Sequence, residues 1–157
     1  MQNIMRRKDR ELSRDEALAV IDKCQYAVMA TVNPDGSPYC LPLSIAREGE
    51  SIFFHSAKEG HKIDNIRKNN SVCLTCAGDV ETVPGEFALF YESAIVNGTA
   101  HEITEREEMI HALKVISQRH TPDVMAMFDS EIKKDLGRTA VWKISINNIS
   151  GKGRRKS

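Results

Sequence analysis

The apolar positions change period several times along the chain, and each change marks an element. After Ser13 they recur at helical spacing, with Ala17, Leu18, Val20, Ile21 and Cys24 on one face. Ser13 and Glu16 form a Ser-x-x-Glu box, in which a hydroxyl and a carboxylate satisfy amides that a helix start leaves free; Leu12 and Ala17 flank it as an apolar staple. A short helix is expected there. From Tyr26 the pattern turns to β. YAVMATVN and SPYCLPLSIA are separated by Pro34-Asp35-Gly36, and Asp-Gly between two β-rich runs signals a hairpin. Arg47-Glu48-Gly49-Glu50 is a second turn, and SIFFH a third strand ending on His55.

Ile63 and Ile66 then recur among charges as a short amphipathic helix, stopped by Asn69-Asn70. SVCLTCAG and GEFALFYESAIVNGTAHEI read as two further strands, the longer one bent by a bulge near Asn97-Gly98. Thr104 with Glu107 predicts another capping box, for a helix burying Met109, Ile110, Leu113 and Ile116; TPDVMAMFDSEIKKDLG continues as short helical pieces. TAVWKISIN is the last strand, with Val141, Ile144 and Ile146 among its apolar residues, and Phe53, Phe54, Phe87 and Phe90 are assigned to strand cores. The basic, Gly-containing end from Gly151 to Lys156 reads as a flexible tail. Six strands with short helices and no βαβ alternation imply a mainly β fold. An antiparallel sheet closed into a barrel is the economical form, because closure removes exposed edges.

Composition narrows the function classes. At 157 residues the chain is expected to form a single domain, 1–157; it is 41% hydrophobic and 28% charged, which excludes disorder as the default state. Its 22 basic residues balance 22 acidic ones, so no global field gathers nucleic acid or an anionic membrane, and Arg154, Arg155 and Lys156 read as solvated. No apolar run approaches the roughly 20 residues of a membrane span, and the start MQNIMRRKDRELS is polar where a signal peptide is apolar; a cytosolic protein is expected. In that compartment Cys24, Cys40, Cys73 and Cys76 stay reduced. Cys73 and Cys76 form a CxxC, but residues three apart on a strand point to opposite faces, so buried strand cysteines are favoured over a metal or redox pair. His101, His111 and His120 lack metal spacing and read as surface or capping residues.

The densest polar cluster is His55-Ser56-Ala57-Lys58-Glu59-Gly60-His61-Lys62, where a strand end turns into a helix. A hydroxyl, imidazoles, a lysine and the free amides of a helix start suit a phosphate, because dipole and charge act in the same direction. The glycine spacing is not that of a Walker loop. The alternative reading is a solvated helix start whose Lys58, His61 and Lys62 meet only water.

Together with Asp35-Gly36-Ser37-Pro38-Tyr39-Cys40-Leu41-Pro42-Leu43, with the helix through Ile63-Asp64-Asn65-Ile66 and with Tyr91-Glu92-Ser93-Ala94-Ile95-Val96-Asn97-Gly98, this cluster resembles the flavin-binding split barrels of the pyridoxamine-phosphate oxidase superfamily, above all their Nim-type nitroimidazole-resistance branch. The likeness runs from Ser13 to Gly151-Lys152. It implies a six-stranded Greek-key split β-barrel with flanking short helices, a homodimer with FMN in clefts between subunits, FAD being the alternative nucleotide. By the same likeness, Leu41, Pro42, Leu43 and Ser44 belong to the strand along the isoalloxazine ring. His55 and Ser56 lie beside ring and phosphate, His61 and Lys62 grip the phosphate, and Ser93 reaches the flavin from the next strand; Trp142 and Lys152 are placed only by their position near the chain end, and Trp142 reads more readily as core. Leu41 and His61 stand where the oxidases carry arginine, and their arginine-histidine C-terminal signature is missing, which disfavours a vitamin-B6 substrate. The implied activity is reduction of a small planar substrate, such as a nitroaromatic to its amine, with His55 as the catalytic candidate. The alternative is a flavin- or haem-binding module without turnover.

Overall fold

The computed structural model describes residues 4–156; residues 1–3 and 157, the outermost of the expected single domain, lie outside the described residues. Eight strands pair antiparallel in one sheet: β1 (Glu11–Leu12), β2 (Ala27–Val32), β3 (Pro38–Leu43), β4 (Ala46–Glu48), β5 (Ser51–Ala57), β6 (Ser71–Thr82), β7 (Leu89–Ile103) and β8 (Thr139–Arg154). The order is β3-β2-β6-β7-β8-β5-β4, with β1 on β8. The two end strands of that path, β3 and β4, are successive in the chain and separated only by Ser44 and Ile45. Such a link reaches roughly 11 Å, so the sheet must curl until its ends meet. The result is a split barrel: curled by the β3–β4 link, but with no ladder among the described residues closing its two edges.

Helix α1 (Arg14–Lys23) begins with the expected box, Ser13 Oγ accepting from the Glu16 amide and Glu16 accepting from the Ser13 amide. It buries Ala17, Val20 and Ile21 in the main core, where Met29, Leu74, Val96, Phe54 and Ile144 from the strands meet Ile63 and Ile66 of α2 (His61–Lys68). On the outer face, α3 (Arg106–His120) covers Phe53 and Val141 with Ala112 and Ile116. Strands β5 and β8 are therefore buried on both sides, which is why Phe53-Phe54 and Val141-Trp142 are consecutive apolar pairs rather than alternating ones. Each such side chain contributes about 1.5–3 kcal/mol of burial. Single helical turns and α4 (Phe128–Asp135) link α3 to β8. No helix among the described residues is long and apolar enough to cross a membrane.

Several expectations need correction. The strand count is eight because SPYCLPLSIA breaks at Ser44-Ile45 into β3 and β4, and because β1 adds to β8. Thr104 does not cap α3; Glu105 holds the N-cap position without a side-chain hydrogen bond. The C-terminal run is no loose tail. Residues 151–154 complete β8, and the glycines there allow close approach: a Cβ on Gly151 would lie 2.8 Å from that of Ala17. The basic side chains are tied down by carboxylates, Arg154 by Glu86, Arg155 by Glu16 and Glu92, Lys156 by Glu81. Phe87 sits fully exposed in the β6–β7 turn, and Phe90 is only half-buried, beneath Arg154 and Lys156. The expected bulge is present at Asn97/Gly98, with Asn147 of β8 as the extra residue. A Cβ on Gly98 would come within 2.5 Å of Ile144 and 2.7 Å of the Ser145 carbonyl oxygen, so the strands cross there only over a glycine. Cys76 is buried and Cys73 half-exposed, on alternate faces; the Cys76 thiol donates to the Val20 carbonyl at 3.9 Å instead.

Candidate functional site

The β2–β3 hairpin and the start of α2 come together at one point. In the turn, Asp35 Oδ1 accepts from the Ser37 amide and hydroxyl, and Gly36, at φ 86°, takes the conformation that the tight turn demands. Asn33 Nδ2 donates to Ser37 Oγ at 3.0 Å, leaving its Oδ1 as an acceptor. Two groups of α2 reach that oxygen, Asn65 Nδ2 at 2.8 Å and His61 Nε2 at 2.7 Å. Asn65 is 1% exposed and also donates to Thr31 Oγ1 at 3.0 Å. The His61 ring stacks on Tyr39 of β3, centroids 4.0 Å apart at 28°. The helix start is thus fastened to the β2–β3 edge by side chains.

That start is open to a ligand. Gly60 is the N-cap, with φ 140° and nothing within 4 Å of where a Cβ would stand, and no side chain caps the helix. The Ile63 and Asp64 amides return to the Gly60 carbonyl, which leaves those of His61 and Lys62 for a ligand or water. Lys58 is exposed and Lys62 half-buried beside them. Free amides, the positive end of the helix dipole and two lysines are the donor set that a phosphate monoester requires, and the residues present fit one.

Next to it runs β3, paired among the described residues only with β2. Leu41 and Leu43 are half-buried against the main core, Pro42 is exposed between them, and Ser44 is exposed beyond the strand end. Pro38 and Pro42 carry no N–H, so they leave this free edge without a donor row that would template another strand. A flat ligand can lie along it.

His55 and Ser56 leave β5 on opposite faces. Ser56 is half-buried and donates to the Ala57 carbonyl at 2.7 Å. His55 is on the face of Phe53, towards the end of α3; burial of its ring, and after it the neighbouring His120, hold its pKa below the ordinary imidazole value. His120 itself donates from Nε2 to the Ile45 carbonyl at 2.7 Å, while His111 pairs with Glu48. Ser93 and Lys152 face each other across β7 and β8, with Ser93 Oγ on the Lys152 carbonyl at 3.3 Å, and no hydrogen bond or ion pair among the described residues joins them to the β3–α2 group. Ser93 instead lines a cleft of about 830 Å³ with Tyr26, Thr75 and Cys76. Trp142 is a core residue, 2% exposed and stacked on Phe54. A surface ligand therefore meets neither face of its indole.

Sequence reasoning missed Thr31, Asn33, Tyr39 and Asn65 as parts of the site. Asn65 stood between the core residues Ile63 and Ile66, a polar side chain where a helix turns inward, and that was the available signal. Its partners lie more than thirty positions away, so only the folded chain connects them.

The comparisons agree with this architecture. A candidate 5-nitroimidazole antibiotic resistance protein from Bacteroides thetaiotaomicron is 26% identical, with a TM-score of 0.78 over 90% of this chain and 85% of its own. The FAD and heme binding protein of Mycobacterium smegmatis is 21% identical, with a TM-score of 0.78 over 92% of this chain and 72% of that one. A FAD-binding protein from Mesorhizobium loti is 21% identical, with a TM-score of 0.64 over 93% and 98%. No curated protein sequence matches. The sequence profile of the pyridoxamine 5'-phosphate oxidase family matches residues 13–153, nearly the whole chain, and with the curled sheet it shows that the protein belongs to that family.

Proposed function

We propose that the protein is a cytosolic, homodimeric, FMN-dependent oxidoreductase acting on a small planar substrate, with nitroaromatics as the leading class. The carrying observation is the open start of α2 beside the free edge of β3, a phosphate site next to a flat strip. The FAD-binding relatives support a flavin nucleotide, and the single phosphate-sized donor set favours FMN over FAD. The nitroimidazole-resistance relative supports the substrate class, and Leu41 and His61, in place of arginines, argue against a vitamin-B6 substrate.

In this reading the His61 and Lys62 amides, with Lys62, hold the phosphate, and the β3 backbone at Leu41, Pro42 and Leu43 orients the ring. A bound flavin would supply electron transfer between a donor and the substrate. His55, exposed at the end of β5, would donate a proton as negative charge builds on the substrate. Reduction of a nitro group to an amine takes up electrons and protons in equal number and releases both oxygens as water, so such a donor has a task at every stage. Ser93 and Lys152, on β7 and β8, would serve the cleft of a second subunit, as the family resemblance implies.

The M. smegmatis relative that binds both FAD and heme supports a second reading, a flavin or haem carrier. Turnover separates the two. Protein reconstituted with FMN under anaerobic conditions should bleach with a reduced nicotinamide and recolour on addition of a nitroimidazole. Protein that stays reduced in the presence of the nitro compound would be a carrier.

A further inference from the structure

Resting on the flavin-phosphate reading above, we infer that Asn33 is a positioning residue that fixes His61 as an Nε2–H donor, so that the imidazole can bond the cofactor phosphate only in its doubly protonated form. The orientation of the Asn33 amide follows from three contacts at once. Its Nδ2 is on Ser37 Oγ, and its Oδ1 receives Asn65 Nδ2 and His61 Nε2. A flipped amide would set its oxygen against Ser37 Oγ, whose one proton is already donated to Asp35, and its NH2 against that of the buried Asn65. His61 Nε2 must therefore carry the proton. Stacking on Tyr39 opposes rotation of the ring to exchange its nitrogens.

Among the described residues Asn33 is the one hydrogen-bond partner of His61, so Nδ1 is left for a ligand. In the neutral ring Nδ1 is a lone pair, which repels a phosphate oxygen; in the imidazolium it is a charged donor, which binds one strongly. Protonation thus converts this contact from repulsive to attractive. Tyr39 stacks on the ring, and the other titratable and charged groups on the segments that carry the ring and its partners are Asp35 in the hairpin turn, Lys58 and Glu59 before α2, and Lys62, Asp64, Arg67 and Lys68 on it. The Asp35 carboxylate is engaged by Ser37, and that bonding holds its pKa below the ordinary range, so it does not titrate above pH 7. A phosphate monoester has its own second pKa near 6, so the effect is read above pH 7, where the ligand charge is constant.

The test is the affinity for FMN and for riboflavin between pH 7 and 8.5, with nitrogen-15 NMR of His61 in the ligand-free protein. The Nε2–H tautomer is expected for neutral His61, and FMN affinity should fall with rising pH more steeply than riboflavin affinity, by at most about tenfold per unit, the limit for a ligand that requires one bound proton. Asn33→Ala frees the ring to offer a proton from either nitrogen, so its FMN slope should drop below that of the parent. Asn33→Asp keeps an acceptor in place and should restore the pH dependence of FMN affinity, a rescue that a merely structural role would not produce. An Nδ1–H tautomer in the parent, or tight FMN binding with the same pH response as riboflavin, overturns this inference alone. Failure of FMN to bind at any pH overturns the flavin reading and this inference with it.

Discussion

Replacing His55 by alanine should slow oxidation of the reduced, FMN-loaded protein by a nitroaromatic about 10²-fold or more, the scale of general acid catalysis, and leave FMN affinity unchanged. The expectation comes from where β5 ends. Phe53, two residues earlier on the same face, is anchored under α3, which places the exposed His55 side chain towards the end of that helix. Burial and the nearby His120 lower its pKa, so its imidazolium gives up the proton more readily than an ordinary one. In the parent protein the rate should therefore fall as pH rises through a value below 6.5, and that limb should be missing from the variant. Stability follows with a definite sign. The unfolded chain takes up this proton before the folded one does, so His55 contributes stability that is present above the unfolded value and lost as pH falls through the folded one. Loss of FMN in the variant would move His55 to the cofactor site, and an unchanged rate would remove it from the chemistry.

Lys62→Ala should weaken FMN by about 1.5–3 kcal/mol, the range for hydrogen bonds to charged groups, and riboflavin far less. Lys62 lies in the first turn of α2, half-buried, and forms no ion pair among the described residues, so its charge is not already committed. The difference between the two flavins isolates the phosphate. Equal losses for both would make Lys62 a structural residue.

Local chemistry made much of the fold legible. Ser13 and Glu16 formed the box their spacing predicts, Asp35-Gly36 made the hairpin, Ile63 and Ile66 faced the core, and the bulge fell at Asn97/Gly98. The misses lay where tertiary contact overrides local pattern. The break at Ser44-Ile45 serves the curl of the sheet rather than a turn motif, and Gly151 and Gly153 read as flexible when their bareness lets β8 pass against Ala17, Leu12 and the Tyr91 carbonyl. Phe87 looked like core because aromatic residues in β-rich runs usually are, yet it falls in the turn itself. At the site, residues adjacent in sequence were legible and those joined across the fold were not. His61 and Lys62 could be read from one helix start, whereas Asn33 and Asn65, which set the chemistry His61 can offer, belong to distant segments.

The most direct test of the central claim is the absorption spectrum of the purified protein during size-exclusion chromatography with light scattering, followed by the mass of the released ligand. The account predicts the bands of an oxidised flavin travelling with a species of about twice 17.6 kDa, and FMN as the ligand, taken up on addition if it is lost in purification. A Soret band, or a colourless protein that does not take up FMN, would contradict it.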